Sequence, residues 1–497
     1  METAFIVMMF TRLAHYAEII NICFHILGAT IVLGIYSMNK TSSMKMPWII
    51  LILALPILGT CIYLTIGLNG APGLMRKRYA TVDSKIMPSL EFDSDAIDSL
   101  KSANPNAYSI SSYIYHYSNY PIYKNSGIQY YNNASLAYES LLNDLKEAKS
   151  FIFMEYFAIE NSIAWKRCED ILVEKVKEGV EVRVFYDDIG SIGYVNLDFA
   201  RYLESKGIKC KVFNPCGVGI KLILNHRDHR KITIIDGKTA YTGGFNIADE
   251  YFEITNPYGH WKDTGIRITG EPVRSFVIMF LEMWLFERKR KQSVIINPET
   301  DINPYLVSFD KNDDICGYLQ PYADTPLDNE NLAEEVYISI INKANSYCYF
   351  ITPYLIISDE MLHAISLASK RGVDVRIITP GIPDKKLIYS VTRSFYNALA
   401  KNGVRIYEWT PGFSHAKMCV SDDRMATVGT INLDYRSLYH HFEDGCLIID
   451  SDVIKEIKSD FISTFSESRE VTDKYKTGRS SFLRLGQLIL RLFAELL

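Results

Sequence analysis

Apolar runs and amphipathic stretches follow one another along this chain in an order that occurs twice. Short, nearly continuous apolar runs are typical of buried strands, and apolar residues at helical spacing are typical of helices packed on a sheet. The first copy runs strand 150–159, helix 168–178, strand 182–186 and, after another helix, strand 207–213. The second copy runs strand 346–355, helix 360–371, strand 373–379 and, after another helix, strand 403–409. Alternating strands and helices predict a largely parallel sheet in each half, covered by helices.

Two long apolar runs near the N-terminus are of a different kind. Residues 19–38 contain no Asp, Glu, Lys or Arg over 20 positions, and residues 46–68 contain none over 23. Each run predicts a transmembrane helix, since about 20 apolar residues cross a bilayer. Basic residues flank the pair, whereas the loop between the runs holds only Lys40 and Lys45. The positive-inside rule therefore predicts a multi-pass protein of the cell membrane, with both ends, and with them the whole region after the second run, in the cytoplasm.

Composition limits the classes of protein that fit this chain. With 48% hydrophobic and 22% charged residues over 497 positions, it is neither disordered nor wholly embedded in a membrane. A formal net charge of -5 argues against a nucleic-acid partner held by bulk electrostatics. The nine cysteines, an odd number without a C-x-x-C pair, are interpreted as reduced core residues and suggest neither a zinc site nor a disulfide framework.

One short pattern of polar residues also occurs twice, at matching offsets. The first copy consists of His229, Lys231, Asp236, Gly243 and Asn246, and the second of His415, Lys417, Asp422, Gly429 and Asn432. Five residue types at five equal offsets are too specific for coincidence, so we interpret the two copies as one bipartite site. The six histidines, lysines and aspartates form the candidate catalytic set. The two asparagines are the candidate substrate-binding residues.

The chemistry of this site follows from the residue types and their spacing. Residues two apart on a strand share a face, so each histidine is expected to project beside the lysine that follows it. Asp236 and Asp422 lie an odd number of positions away, at predicted turns, and are expected to support the site rather than contact the substrate. One histidine could attack the phosphorus of a phosphodiester while the other moves the proton. The lysines and asparagines would hold the non-bridging oxygens, with no metal or other cofactor.

The two motifs resemble those of the phospholipase D superfamily, and the surrounding sequence is similar to the bacterial cardiolipin synthases over nearly the whole chain. The similar stretches are FMEYFAI (153–159), VRVFYDDIGS (182–191), WKDT (261–264), QPYADTPLDNE (320–330), ITPYL (351–355), VRIY (404–407) and GTINLDYRS (429–437). The resemblance implies an α/β fold of two similar phospholipase D-like halves around a pseudo-twofold axis, preceded by two transmembrane helices. The two histidine strands would then meet at the seam.

The same resemblance implies a phosphatidyltransferase that joins two phosphatidylglycerol molecules into cardiolipin and glycerol through a phosphohistidine. Its partners would be phosphatidylglycerol and membrane lipids, with no nucleic acid. His229 is the expected nucleophile and His415 the expected general acid and base, although the similar halves leave the reverse assignment open. Resemblance and spacing suggest Asp263 as the carboxylate partner of His229 and Glu443 as that of His415.

Departures from the family pattern occur at Gly265, where relatives commonly carry His, and at His441, where many carry Asn. They bear on donor and acceptor preference more than on catalysis. Ser437 resembles a hydroxyl on the phosphate side of the site, and Thr430 is a competing candidate. Three histidines outside the repeated frame are expected to be hydrogen-bonded structural residues. They are His226, His440 and His441.

Other functions share part of this pattern. A phospholipase D-type hydrolase or a phosphatidylserine-forming transferase would use the same site. A phosphodiesterase nuclease is disfavoured by the two apolar runs and the acidic balance. A non-catalytic membrane scaffold is expected to have lost a histidine or lysine from one motif, and here both motifs are intact.

The sequence divides into five predicted segments. They are a two-span membrane anchor (1–75), a connector rich in Ser, Asn and Tyr (76–131), a first half (132–300), a second half (301–479) and an amphipathic C-terminal helix (480–497). The connector either lies near the bilayer surface or packs on the catalytic body. The C-terminal helix either docks on the body or lies in the membrane interface, and we favour the interface because a lipid substrate must be drawn from the bilayer.

Overall fold

The computed structural model describes residues 14–38, 41–67, 73–124, 126–215, 226–287, 296–309 and 316–477, together with residues 486, 490 and 491. The helices are Ala14–Ser37, Ser42–Ala54, Pro56–Ile62, Gly73–Ile86, Ser94–Ala103, Pro105–Ser118, Ala134–Glu147, Ile163–Lys177, Phe199–Ser205, Val273–Phe286, Pro298–Asp301, Leu332–Lys343, Asp359–Lys370, Lys386–Lys401, Tyr435–Tyr439, Val453–Ser466 and Thr472–Lys476. Short 3-10 or π-helical turns are Tyr63–Gly67, Met87–Ser89, Asp249–Phe252 and Asn303–Tyr305.

The strands belong to two large sheets and one small one. In chain order they are Tyr123–Lys124 (β1), Gly127–Tyr131 (β2), Phe151–Tyr156 (β3), Glu181–Asp187 (β4), Lys209–Phe213 (β5), Arg227–Asp228 (β6), Lys231–Ile235 (β7), Thr239–Gly243 (β8), His260–Lys262 (β9), Gly265–Thr269 (β10), Tyr318–Asp324 (β11), Tyr347–Ile351 (β12), Asp374–Pro380 (β13), Arg405–Trp409 (β14), Gly412–Ser414 (β15), Met418–Ser421 (β16), Met425–Gly429 (β17), His441–Ile449 (β18) and Ser468–Glu470 (β19).

Each half has a mixed sheet, so the prediction of largely parallel sheets is wrong. The first sheet has the order β2-β10-β8-β7-β3-β4-β5, and the second β1-β11-β18-β17-β16-β12-β13-β14-β19. Within these two strand orders, β3-β4-β5 and β12-β13-β14 pair in parallel and the remaining neighbours pair antiparallel. Helices cross over between these strands, whereas each histidine strand returns through a tight turn into its neighbour, and a tight turn imposes antiparallel pairing. The repeated order of elements therefore yields two similar mixed α/β halves.

The connector strands and one central helix link the two sheets. Strand β2 of the connector pairs with β10 of the first half, and β1 pairs with β11 of the second. Helix Val273–Phe286 contacts strands of both sheets, and thirteen of its fourteen residues are buried. The connector thus packs on the catalytic body, which was one of the two expected placements. The predicted segment boundaries themselves stay a prediction.

One helix of the described residues is long and apolar enough to cross a membrane, and it covers Tyr16–Ser37. The second apolar run is divided between two shorter helices, Ser42–Ala54 and Pro56–Ile62, and the turn Tyr63–Gly67. Pro56 lies at the break, since proline lacks the N–H that would continue the helix through Leu55. The structure therefore supports one candidate membrane span and leaves the second span unconfirmed.

The predicted C-terminal helix, 480–497, lies outside the described residues except at positions 486, 490 and 491. Leu490 packs against the hydrophobic core, and the guanidinium of Arg491 lies 4.1 Å from the centre of the Phe395 ring. At these two positions the chain docks on the body, contrary to the expectation of a membrane-interface helix.

Candidate active site

Both motif histidines lie directly beside a short strand that pairs with the other half of the molecule. Strand β6 ends at Asp228 and pairs in parallel with β18 of the second half, and β15 ends at Ser414 and pairs in parallel with β9 of the first. The backbone N–H of His229 donates to the carbonyl of Phe442 (2.9 Å), and that of His415 donates to the carbonyl of Lys262 (2.7 Å). Each histidine is therefore held by main-chain bonds to the half that does not encode it.

A buried carboxylate holds one nitrogen of each imidazole. Nδ1 of His229 lies 2.9 Å from both carboxylate oxygens of Glu443, and Nδ1 of His415 lies 2.7 Å from Oδ2 of Asp263. Both carboxylates are fully buried. An Nδ1–H bonded to a carboxylate leaves Nε2 free for chemistry and fixes the ring orientation.

This pairing is the reverse of the predicted one, in which Asp263 served His229 and Glu443 served His415. The reason lies in strand register across the seam. Phe442 is opposite Asp228, so the next residues along the two parallel strands, Glu443 and His229, are neighbours. The register of β9 and β15 brings Asp263 to His415 in the same way. The two carboxylates were identified correctly, and their partners were exchanged.

The motif lysines lie beside the histidines, as the strand spacing predicts. Nζ of Lys231 donates to the carbonyl oxygen of His229 (2.7 Å). Nζ of Lys417 contacts the carbonyl oxygen of His415 and lies 2.7 Å from its Nδ1. Both lysines are about 1% exposed, so each positive charge is held away from bulk water. Two such cations at one seam are suited to an anionic phosphoryl group.

The site disfavours positive charge in this structure. Burial, followed by Lys231, Lys417 and His415, holds the pKa of His229 well below its ordinary value. Burial and Lys417 lower the pKa of His415 to about 4. Burial also lowers the pKa of Lys231 to about 8 and that of Lys417 to about 7. The lysine of each motif lowers the pKa of the histidine of the other motif, so the two motifs lie within electrostatic reach of each other.

Anion binding at this site is therefore expected to take up protons. A bound anion favours the charged form of a lysine, so it raises the pKa values that burial lowers to about 8 and about 7. Affinity should then fall as pH rises through these values, because the lysines must first be protonated. We expect the Kd for inorganic sulfate, measured by calorimetry, to weaken about 10-fold to 100-fold between about pH 7.5 and pH 9. A Kd independent of pH would contradict the lysine assignment, and Lys417→Met should flatten the dependence.

Gly244 makes room for the carboxylate of Asp263. A Cβ atom at Gly244 would lie 1.9 Å from Oδ1 of Asp263, a separation at which one group must move. The corresponding position in the second half, after Gly429, is Thr430, whose hydroxyl instead donates to Oε2 of Glu443. The two carboxylates are thus oriented by different neighbours.

Replacing Gly244 by alanine is expected to displace Asp263 and to lower kcat on the order of 100-fold, since about 1 Å of misplacement has effects of that size. The loss should come with modest destabilisation, because overpacking costs about 1–3 kcal/mol. Gly73→Ala is the control, as nothing lies within 4 Å of its added Cβ. Turnover and thermal unfolding of both variants check this, and equal kcat values would show that Asp263 keeps its position.

The two motif asparagines occupy different environments. Oδ1 of Asn246 accepts from the N–H of Ala158 (3.0 Å), and its Nδ2 donates to the hydroxyl of Tyr251 (2.8 Å). Oδ1 of Asn432 is buried without a hydrogen-bond partner among the described residues. Asn246 thus braces the loop beside the site, whereas Asn432 retains hydrogen-bonding capacity. Their expected contact with substrate stays a prediction.

Asp236 and Asp422 support the fold from the far end of the histidine strands. Each carboxylate accepts three backbone N–H groups, those of residues 149–151 for Asp236 and 345–347 for Asp422. Asp236 follows Lys231 by five residues, which places it about 16 Å along an extended strand. These contacts agree with the expectation that both aspartates support the site from a distance, and their place in the catalytic set stays a prediction.

Aromatic rings that the sequence reasoning missed surround both imidazoles. Phe157 lies 5.0 Å from the His229 ring, measured between ring centres. Tyr251 and Trp261 lie 5.3 Å and 5.4 Å from the His415 ring. The only available signal was proximity in sequence, since Trp261 precedes Asp263 by two residues. These rings place apolar surface beside the imidazoles, which disfavours water at their sides.

A buried cation beneath the motif was also missed. Arg230 lies between His229 and Lys231 in sequence, so it points to the opposite face of the strand. It is fully buried and donates to the carbonyls of Glu443 (3.3 Å) and Met279 (3.2 Å). Arg230 therefore ties the first motif both to the strand of the second half and to the central helix.

The remaining candidate residues near the motifs differ in whether their side chains are hydrogen-bonded. Nδ1 of His226 lies 3.2 Å from the carbonyl oxygen of His440, in keeping with a structural part. His441 does not fit the expectation of a hydrogen-bonded structural histidine, since neither of its ring nitrogens has a hydrogen-bond partner among the described residues. The hydroxyl of Ser437 is likewise buried without a partner there. Thr430 contacts Glu443 and so supports His229 indirectly.

Comparison with known proteins agrees with this arrangement. Residues 141–264 and 337–465 match the family described as cardiolipin synthase, PLD-like domain, and residues 24–67 match the phospholipase D-nuclease N-terminal family. A cardiolipin synthase of Oceanobacillus iheyensis is 30% identical over 95% of this chain and 99% of its own length. An uncharacterised protein of Streptococcus mutans is 41% identical over 90% of this chain and 96% of its own.

A solved structure shows the same fold. The phosphatidylserine synthase of Haemophilus influenzae superposes with a TM-score of 0.58 at 14% identity, covering 79% of this chain and 98% of that one. The two matched ranges contain strands β3 to β9 and β12 to β18, and each includes one copy of the repeated histidine motif. The resemblance predicted from the motifs is thereby confirmed, and the chain belongs to the cardiolipin synthase family, with two phospholipase D-like domains.

Proposed function

We propose that this protein is a phosphatidyltransferase that joins two phosphatidylglycerol molecules into cardiolipin and glycerol. The observation that carries the proposal is the pair of histidines at one seam, each with Nδ1 on a buried carboxylate of the opposite half. Such a pair leaves two Nε2 atoms to act on one phosphorus, one as nucleophile and one as acid and base. The family membership and the lipid enzymes among the relatives support the substrate class.

The first step forms a covalent phosphatidyl-histidine. Nε2 of His229 attacks the phosphorus of the first phosphatidylglycerol, the new N–P bond forms, and the P–O bond to the headgroup glycerol breaks. His415 delivers its Nε2 proton to the departing oxygen, so glycerol leaves as a neutral alcohol. Glu443 stabilises the positive charge that develops on His229. The pKa of His415 must therefore rise when anionic substrate enters, from its value of about 4.

The second step transfers the phosphatidyl group. A headgroup hydroxyl of the second phosphatidylglycerol attacks phosphorus, the N–P bond breaks, and its electron pair returns to His229. His415 accepts the hydroxyl proton and is restored for the next cycle. Lys231 and Lys417 would hold the non-bridging oxygens in both steps, with Asn246 and Asn432 as the proposed substrate-binding amides. The similar halves also permit the reverse assignment of the two histidines.

Transfer wins over hydrolysis when an alcohol reaches the intermediate before water does. The loops that follow β4 and β13 carry exposed apolar side chains, including Ile192, Leu197 and Ile382. Leu197 is 95% exposed. These residues support a site that faces the membrane surface, where lipid alcohols are concentrated and water is scarce.

The proposed topology has two spans with the catalytic region in the cytoplasm. The apolar helix Tyr16–Ser37 and the second apolar run support it. So does the distribution of charge, since more basic residues flank the pair of runs than lie in the loop between them. A cysteine placed in the loop between the runs should then be labelled by an impermeant reagent from the outside of intact cells. Labelling of catalytic-domain cysteines under the same conditions would overturn the orientation.

Liposomes containing labelled phosphatidylglycerol test the reaction against its two alternatives. We expect cardiolipin and free glycerol as the products, both with and without added serine. Phosphatidate as the main product would identify a hydrolase, and phosphatidylserine formed only with serine would identify a serine-using transferase. Duplex DNA added in parallel should stay intact, since the chain is acidic overall.

A further inference from the structure

A third histidine lies beside the first motif and forms a compact cluster with it. The cluster consists of His229, His441 and Glu443, whose side-chain ligand atoms all lie within 4.8 Å of one another. Nδ1 of His229 is 2.9 Å, and Nδ1 of His441 is 3.6 Å, from Oε1 of Glu443. The exposed fractions of the three residues are 7%, 8% and 0%. Three potential ligands therefore share one nearly enclosed space.

The imidazole of His441 has bonding capacity that the fold does not use. His441 precedes Glu443 by two residues on strand β18 and so shares its face. Neither of its ring nitrogens has a hydrogen-bond partner among the described residues, and 3.6 Å to the carboxylate is too long for a hydrogen bond. Buried polar groups are nearly always paired, and here both ring nitrogens remain available to a ligand. The Phe157 ring lies 6.4 Å away between ring centres, at an interplanar angle of 26°.

Two imidazoles and one carboxylate are a ligand set that zinc and similar borderline metals use when one coordination position stays open. Bonds of about 2.0–2.2 Å in tetrahedral geometry place ligand atoms roughly 3.3–3.6 Å apart. The two separations from Glu443, 2.9 Å and 3.6 Å, are close to that range. The buried carboxylates Asp444 and Asp263 help to offset the charges of Lys231 and Lys417 nearby.

We propose that His229, His441 and Glu443 bind a divalent transition metal such as Zn²⁺, and that the bound metal reversibly blocks transfer. The metal bonds to Nδ1 of His229 in place of its proton, which is released to solvent, and to a carboxylate oxygen of Glu443 and a nitrogen of His441. His229 then loses both its orienting carboxylate and its electron density, so it no longer attacks phosphorus. Inhibition rests on the proposed function, whereas metal binding does not.

Metal binding is tested with Co²⁺, which has visible absorption bands when tetrahedral, on full-length protein freed of metal by chelation. We expect one Co²⁺ per chain, displaced by Zn²⁺. Removing one of three ligands with His441→Asn should weaken the Kd at least about 100-fold, and the matched variant of the adjacent histidine, His440→Asn, should leave it unchanged. Equal affinity in the wild type and His441→Asn, or no binding by the wild type at millimolar Co²⁺, would overturn the site.

The inhibitory effect is measured separately, as the cardiolipin-forming rate with and without Zn²⁺, each variant relative to its own metal-free rate. Zn²⁺ should inhibit the wild type and His440→Asn, with recovery on chelation, and should have little effect on His441→Asn. A wild type that needs the metal, and loses activity on chelation, would overturn the inhibitory part. Failure of the transfer assay with an intact, His441-dependent Co²⁺ spectrum would reject the proposed function and keep the metal site.

Discussion

Replacing His229 with Asn is expected to lower cardiolipin formation about 10,000-fold or more, because the nucleophile and its covalent intermediate are lost together. His415→Asn is expected to reduce overall turnover by a similar factor for a different reason. That variant still has a nucleophile, and it lacks the group that protonates the leaving oxygen. The activities of the two variants should therefore differ on a substrate whose leaving group needs no proton.

A phosphatidyl ester of p-nitrophenol makes this separation measurable, since nitrophenolate leaves without a proton. We expect His415→Asn to release a burst of one nitrophenolate per active site, followed by slow turnover, and His229→Asn to release none. His363→Asn, on an exposed position of helix Asp359–Lys370, is the matched control and should behave as the wild type. A burst in His229→Asn instead would assign the nucleophile to His415, and no burst in either would contradict a covalent route.

The second large effect comes from the carboxylates, because each serves the histidine of the other half. Glu443→Gln is expected to make His229 a weaker nucleophile and so to suppress the nitrophenolate burst. Asp263→Asn is expected to keep the burst and to slow the later transfer. Each loss should be on the order of 1,000-fold, since removing a carboxylate that orients a catalytic histidine has effects of about this size or larger. The pairing predicted from sequence spacing demands the opposite result.

Matched controls come from exposed carboxylates in the first half. Asp170→Asn and Glu139→Gln remove the same kinds of charge from side chains that are 63% and 56% exposed. Their burst and turnover should equal those of the wild type. Suppression of the burst by Asp263→Asn rather than by Glu443→Gln would show that the crosswise hydrogen bonds do not operate in catalysis, or that His415 is the nucleophile. The histidine variants decide between these two readings.

Much of the fold was predictable, and the errors have a common origin. Strand and helix positions follow from local apolar periodicity, so both copies of the strand-helix-strand order were found. Sheet direction was wrong because it depends on which strands pair, and pairing is set by turns and by partners far away in sequence. The second apolar run was predicted to be a single helix, but the helix breaks at Leu55 and Pro56. The proline was a local signal of this break, and the prediction gave more weight to the number of apolar residues.

The candidate site shows the same division between local and distant information. The aspartates at 236 and 422 were correctly placed at turns, since their odd spacing sets them apart from the histidine and lysine face. Phe157 and Tyr251 were missed, because nothing in their sequence neighbourhood shows that their rings meet an imidazole of the site. His441 was interpreted as structural for lack of a repeat, but its Nδ1 lacks a hydrogen bond like the one that links Nδ1 of His226 to the carbonyl oxygen of His440.

The sequence by itself determined that two equivalent histidine-lysine motifs exist, which chemistry their side chains support, and which family the chain belongs to. These properties depend on residue type and on spacing over a few residues. Only the tertiary structure decided that Glu443 serves His229 and Asp263 serves His415. That choice depends on the register of two short parallel pairings, β6 with β18 and β9 with β15, which join segments more than 140 residues apart. Spacing within each motif carries no information about such a pairing, because both partners lie in the other half of the chain.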